Sequence, residues 1–224
     1  MKLGILVSGR GSNLEAVLEA VARGDLPEVE PVMVISNRAG VPALAVAARH
    51  GLPAVILPRA GFTDGAARDA AIGKALSDAG VELALLAGYD RLLHPSFFDA
   101  FRGRAINVHP SLLPRHGGRG MMGLAVHASV LASGDEVTGV TVHEVTPELD
   151  QGPPIAQVRV AVRPGETAGM LAERVLSVEH RTVVAVLARL AAERSGADLS
   201  ASMTAVPRAR TRPRTSHERH APDA

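Results

Sequence analysis

Three segments place polar residues where they can do chemistry. In Ala105 to Pro114, AINVHPSLLP, an Asn and a His lie two residues apart at the end of an apolar run, so strand alternation puts Asn107 and His109 on one side. An amide N–H donor beside a titratable imidazole can stabilise an oxyanion and move a proton. In Ser8 to Asn13, SGRGSN, glycines let backbone N–H groups approach an anion, and a helix opening there adds unpaired donors, so phosphate is the expected guest. The segment matches neither GxGxxG nor a Walker loop, and a tight turn with Asn13 as helix cap is the plain alternative. The third segment, Thr146 to Pro153, TPELDQGP, carries Asp150 between turn residues; taken alone it reads as turn chemistry.

Positioning these residues is the task of an alternating pattern of elements. Short apolar runs at Leu3–Val7, Pro31–Ile35, Ala54–Leu57, Leu83–Ala87 and Ala105–Val108 read as buried strands. Helical patterns separate them at Asn13–Ala22, Pro42–His50, Asp64–Ala79 and Ser96–Phe101, as parallel crossovers require. Beyond His109 come a Pro/Gly-rich loop to Gly123 and a short helix, Leu124–Ala132. Two alternating strands, Val137–Val145 and Ile155–Val162, lead to a final helix, Thr167–Ala192. The fold class is therefore α/β: a single Rossmann-like domain over residues 1–192 whose mostly parallel, twisted sheet is flanked by helices. In such sheets ligands bind beyond the carboxyl ends of strands, which is where all three segments fall.

The 224 residues contain no cysteine, which removes disulfides, thiolate metal sites and cysteine nucleophiles, and no His/Asp grouping has metal-ligand spacing. Without a signal peptide or an apolar stretch of about 18 residues, the expectation is a cytoplasmic protein with no membrane partner. The net charge of +1 conceals an asymmetry: from Ala205 onward lie five of the 24 basic residues and two of the 23 acidic ones, leaving that end at +3 and the rest at −2. Residues 193–224 are rich in Ala, Arg, Pro, Ser and Thr and nearly devoid of large apolar side chains, so a disordered tail is expected. Its arginines lack interleaved aromatics, which argues against nucleic acid as the main partner.

In combination, SGRGSNL, LLAGYDRLLHP, INVHPSLLP and TPELDQGP resemble the phosphoribosylglycinamide formyltransferase family of purine synthesis, over about residues 1 to 190. The resemblance implies 10-formyltetrahydrofolate as co-substrate, the amine of phosphoribosylglycinamide as acceptor, no metal, and compatibility with a homodimer. It assigns Asn107, His109 and Asp150 to catalysis, and Gly11, Ser12, Asn13 and Glu179 to the ribonucleotide. To the folate it assigns Asp90, Arg91, Leu92, Leu93 and Asn107, with Thr146, Pro147, Glu148, Leu149 and Asp150 closing over the pterin. Within the scheme Asn107 and protonated His109 donate to the formyl oxygen, and Asp150 keeps charged an imidazole whose ordinary pKa is about 6.5. Without the family, Glu179 reads as a solvated helix carboxylate, and Leu92 and Leu93 as core.

Three departures stand out. A family arginine that contacts folate is replaced by Gly65, with Arg68 nearby; the segment Arg115 to Gly123 is unusually rich in glycine, reading either as a mobile active-site loop or as a long surface connection; and Arg181-Thr182-Val183 lacks the usual aromatic and Pro. Two alternatives remain: a formyltetrahydrofolate hydrolase, in which water replaces the amine, and a non-catalytic nucleotide-binding relative.

Overall fold

A computed structural model describes residues 1–196; the sequence expectation for a tail falls almost wholly on residues outside these. The element order is β1 (Lys2–Val7), α1 (Ser12–Ala22), β2 (Glu30–Ser36), α2 (Pro42–Arg49), β3 (Ala54–Ile56), α3 (Gly65–Asp78), β4 (Leu83–Leu86), α4 (Pro95–Ala100), β5 (Arg104–His109), α5 (Leu124–Ala132), β6 (Val137–Glu144), β7 (Pro154–Ala161) and α6 (Ala168–Ser195).

The seven strands form one sheet in the order β3-β2-β1-β4-β5-β6-β7. Strands β1 to β5 pair in parallel, and β6 and β7 add as an antiparallel edge. The chain winds outward from β1 to β3, then crosses back to β4 beside β1. This reversal opens a crevice beyond the carboxyl ends of β1 and β4.

Alternation within the buried strands splits their side chains between two apolar layers. Leu3, Ile5 and Val7 of β1 point to the layer packed by α1, α2, α5 and α6. Leu6, Ala84 and Leu86 point to the layer packed by α3 and α4, with Ile72, Leu76 and Phe97 fully buried. Helix α3 approaches β1 closely at Gly4, where an added Cβ would stand 2.5 Å from Leu76 Cδ2.

Element ends lie within one residue of the sequence expectation except the end of α6, and two of the shifts matter, those of α1 and α6. Helix α1 starts at Ser12 and is capped by Gly11 at φ 81, so Asn13 is not the cap but lies inside the first turn. Helix α6, capped at its start by Thr167 accepting from Met170 N–H, continues through Ser195 rather than ending at Ala192. At its far end Ser195 donates to Glu28 Oε2 at 2.8 Å and Arg194 pairs with Glu82. Glu28 lies two residues before β2 and Glu82 one before β4, so the last turn of α6 is fixed at the amino-terminal end of the sheet. No helix among the described residues is long and apolar enough to cross a membrane.

Candidate active site

A single cleft of about 1050 Å³ occupies the crevice beyond β1, β4 and β5. All the sequence-predicted site residues line it except Pro147, which stands in the same turn but does not face the cavity.

One end of the cleft is built by α1. No side chain caps this helix, and its Gly11 carbonyl already accepts from Glu15 N–H at 2.8 Å. The first-turn N–H groups of Ser12, Asn13 and Leu14 therefore remain as donors, with the positive end of the helix dipole behind them. Gly11 is required twice over: its φ is 81, and a Cβ there would meet Ala43 Cα of α2 at 2.7 Å. Asn13 donates from Nδ2 to Glu179 Oε2 at 2.9 Å, linking α1 to α6. Glu179 is not a solvated carboxylate; it is 8% exposed, and burial pushes its carboxyl above the usual range against the opposing effects of Asn13 and Arg10.

The wall after β4 holds Asp90 to Leu93. Asp90 is braced by Asn37 Nδ2 at 2.8 Å and by Arg38, and its N–H donates to Ser8 Oγ at 3.0 Å. Only Leu93 belongs to the core; Leu92 is 49% exposed at the rim. Arg68 does not replace the missing folate-contacting arginine, because it is buried in an ion pair with Asp69 at 2.6 Å, and Asp69 in turn accepts His94 N–H at 2.8 Å.

Asn107 and His109 lie at the carboxyl end of β5, and β6 pairs antiparallel with it, placing His143 opposite Asn107. His143 was not singled out by the sequence; the signal was a polar residue on the buried phase of a strand, but its pairing spans 36 residues and is not local. Its Nδ1 lies 2.8 Å from the Glu144 carbonyl, which only accepts, so Nδ1 carries the proton and Nε2 is the acceptor. Asn107 Nδ2 donates to that Nε2 at 3.1 Å, which orients the amide and leaves its second N–H for the cleft. Burial holds the His143 pKa below its ordinary value, so the ring is neutral at pH 7 and the arrangement is stable.

His109 is 4% exposed, and its Nε2 lies 2.9 Å from the His116 carbonyl. By the same reasoning Nε2 carries a proton, and Nδ1 is the nitrogen that faces Asp150. Asp150 faces both imidazoles: Oδ2 is 3.9 Å from His109 Nδ1 and Oδ1 is 3.8 Å from His143 Nε2. These separations are coulombic rather than hydrogen-bonded. Oδ2 is held instead by Gly118 N–H at 2.8 Å, which anchors the glycine-rich loop to the turn after β6. A second unpredicted histidine, His127 of α5, lines the cleft with Nδ1 unpartnered, its pKa lowered by burial and by His109.

The arrangement combines an anion cradle, an oriented N–H donor, and a titratable imidazole facing a carboxylate, in one cavity with an apolar rim. Among the described residues no group of His, Cys, Asp or Glu is disposed to hold a metal ion.

The formyl transferase family model matches residues 1–187. The phosphoribosylglycinamide formyltransferase of Haemophilus influenzae is 34% identical over 180 residues, covering 80% of this chain and 82% of that protein. The trifunctional purine biosynthetic protein adenosine-3 of Gallus gallus is 38% identical over 187 residues; these cover 84% of this chain but only 18% of that longer protein. The crystal structure of glycinamide ribonucleotide transformylase 1 from Symbiobacterium toebii superposes with a TM-score of 0.80 at 38% identity, covering 87% of this chain and 89% of that one. With a shared fold, a match across the body of the chain and substantial identity to relatives of its own length, the chain belongs to the formyl transferase family, among the phosphoribosylglycinamide formyltransferases.

Proposed function

We propose that the protein transfers the formyl group of 10-formyltetrahydrofolate to the amine of phosphoribosylglycinamide. The observation that carries this reading is the meeting, in one cleft, of the α1 anion cradle with Asn107, His109 and Asp150.

The phosphate binds at Gly11, Ser12 and Asn13, on the free N–H groups of the first turn, and Glu179 accepts from the glycinamide portion. The folate lies along Asp90 to Leu93, under the turn Thr146 to Asp150. The substrate's neutral amine attacks the formyl carbon, and the carbonyl electrons move onto oxygen. Asn107 donates its second N–H to that oxyanion, together with protonated His109 at Nδ1. Asp150 stabilises the imidazolium and takes part in moving a proton from the new ammonium to folate N10. The N10–C bond then breaks, releasing tetrahydrofolate and the formylated ribonucleotide. Each group acts by hydrogen bonding or proton transfer, and no covalent enzyme intermediate is needed.

Incubation of the protein with both substrates should yield the formylated ribonucleotide and tetrahydrofolate in equal amounts. Release of formate at the same rate with and without the amine would instead assign it as a hydrolase, and binding without turnover as a non-catalytic relative.

A further inference from the structure

The loop after β5 contains a side-chain arrangement that the proposed chemistry does not use. His116 adopts φ 55, in the left-handed region that is uncommon for any residue but glycine, although His enters it more readily than most. Both of its ring nitrogens are engaged: Nδ1 with Ser129 Oγ of α5 at 2.9 Å, and Nε2 with Asp135 Oδ2 at 2.7 Å. Asp135 also receives Arg115 Nη2 on its other oxygen at 2.6 Å. The preceding carbonyl, that of Arg115, accepts from the fully buried Ser111 hydroxyl at 2.6 Å. His116 is therefore held both at its ring and at the peptide that precedes it. Its carbonyl is the acceptor for His109 Nε2.

We infer that His116, clamped by Asp135 and Ser129, is a positioning residue that fixes the tautomer and ring orientation of His109. A backbone carbonyl on one imidazole nitrogen decides which nitrogen is left to titrate. Here it commits Nε2 to carrying a proton and turns Nδ1 toward Asp150. That carbonyl is aimed by an uncommon backbone conformation, which persists because the His116 ring is tied at both ends. The Asp135 carboxyl is held below the usual range, first by its hydrogen bond from His116, so it remains a charged acceptor in the working pH range. Without the ring contacts the peptide is free to rotate, His109 Nε2 loses its acceptor, and both tautomers become populated.

The kinetic half of the test rests on the proposed formyl transfer; the spectroscopic half does not. His116→Gly accepts the positive φ without strain and removes both ring contacts, His116→Gln places its amide where Nε2 lies and keeps a donor for Asp135, and Asp135→Asn preserves shape while removing the charge. In the full chain, the ring ¹⁵N shifts of His109 should report the Nε2–H tautomer in the native protein and a tautomer mixture in His116→Gly and Asp135→Asn. In those two variants kcat should fall about tenfold or more with KM within about threefold, while His116→Gln retains most of the native rate. Native His109 shifts and native kcat in both His116→Gly and Asp135→Asn would overturn the inference. A native protein that transfers no formyl group would refute the proposed function, and the nitrogen spectra would still decide the role of His116.

Discussion

Asp150 occupies φ 55, and its turn is shaped by Gly152, where a Cβ would lie 1.8 Å from the Glu144 carbonyl oxygen. This backbone aims the carboxylate between His109 and His143. Asn tolerates the left-handed region as well as Asp does, so Asp150→Asn removes charge with little change in backbone preference. Steady-state assays should show kcat lowered by on the order of 10² or more in this variant, and likewise in His109→Ala, the size of effect typical of lost acid–base assistance. Near-native turnover in either would contradict their proposed roles. Asn107 and His109 were legible because strand alternation is a local signal. His143 was not, since its partnership with Asn107 exists only through the β5–β6 register. Glu179 carried a readable sign that the plain reading overlooked: Leu171, Val175, Val183 and Leu187 form a row at intervals of four, and Glu179 fills the gap in it.

Helix α6, 28 residues and about 42 Å long at 1.5 Å per residue, is the element that joins site to scaffold. Near its start Arg174 donates to Glu166 Oε1 and Oε2 at 2.6 and 2.7 Å and to the Ala161 carbonyl at 2.7 Å, joining β7 to the helix. Burial alone would raise the Glu166 carboxyl, but Arg174 and the Arg163 N–H together hold it below the usual range. Because Glu166 is buried, Arg174→Ala leaves its charge without compensation and should destabilise the fold by about 2 to 3 kcal/mol in urea unfolding. The double variant Glu166→Gln/Arg174→Met should recover much of that loss. A single variant as stable as the native protein would show the pair to be dispensable. The periodicity of α6 was plain in the sequence, yet its end lay three residues further on. Exposed last turns are decided by side-chain contacts such as Ser195 with Glu28, which composition does not reveal.

For the molecule as a whole, the parallel strands and the order of elements were readable because doubly buried strands are continuous apolar runs separated by helical patterns. The shape of the cleft was not, since it depends on β1 lying beside β4, with β5 next to it, and on a loop tied to a distant turn through Gly118 and Asp150. Burial also governs stability against pH. His127, His143 and His180 all have pKa values lowered chiefly by desolvation. Each favours the folded state while neutral, so its contribution is present above the unfolded pKa of about 6.5 and is lost as pH falls through the lower folded value. Glu179 acts in the opposite sense, its raised pKa favouring the fold at low pH and losing that effect as pH rises. With three histidines against one carboxyl, Tm by calorimetry should be lower at pH 5.5 than at pH 7.5. The difference should narrow in His180→Asn, a position that does not line the cleft; a Tm unchanged between the two pH values would refute this account.

The fixation of Arg194 and Ser195 to Glu82 and Glu28 bears on how the protein can be handled. The cleft opens at the carboxyl ends of the strands, whereas the chain leaves Gly196 at the amino ends, a sheet's height away. A partner joined directly after Gly196 starts from the side of the sheet opposite the cleft mouth and leaves the entrance clear.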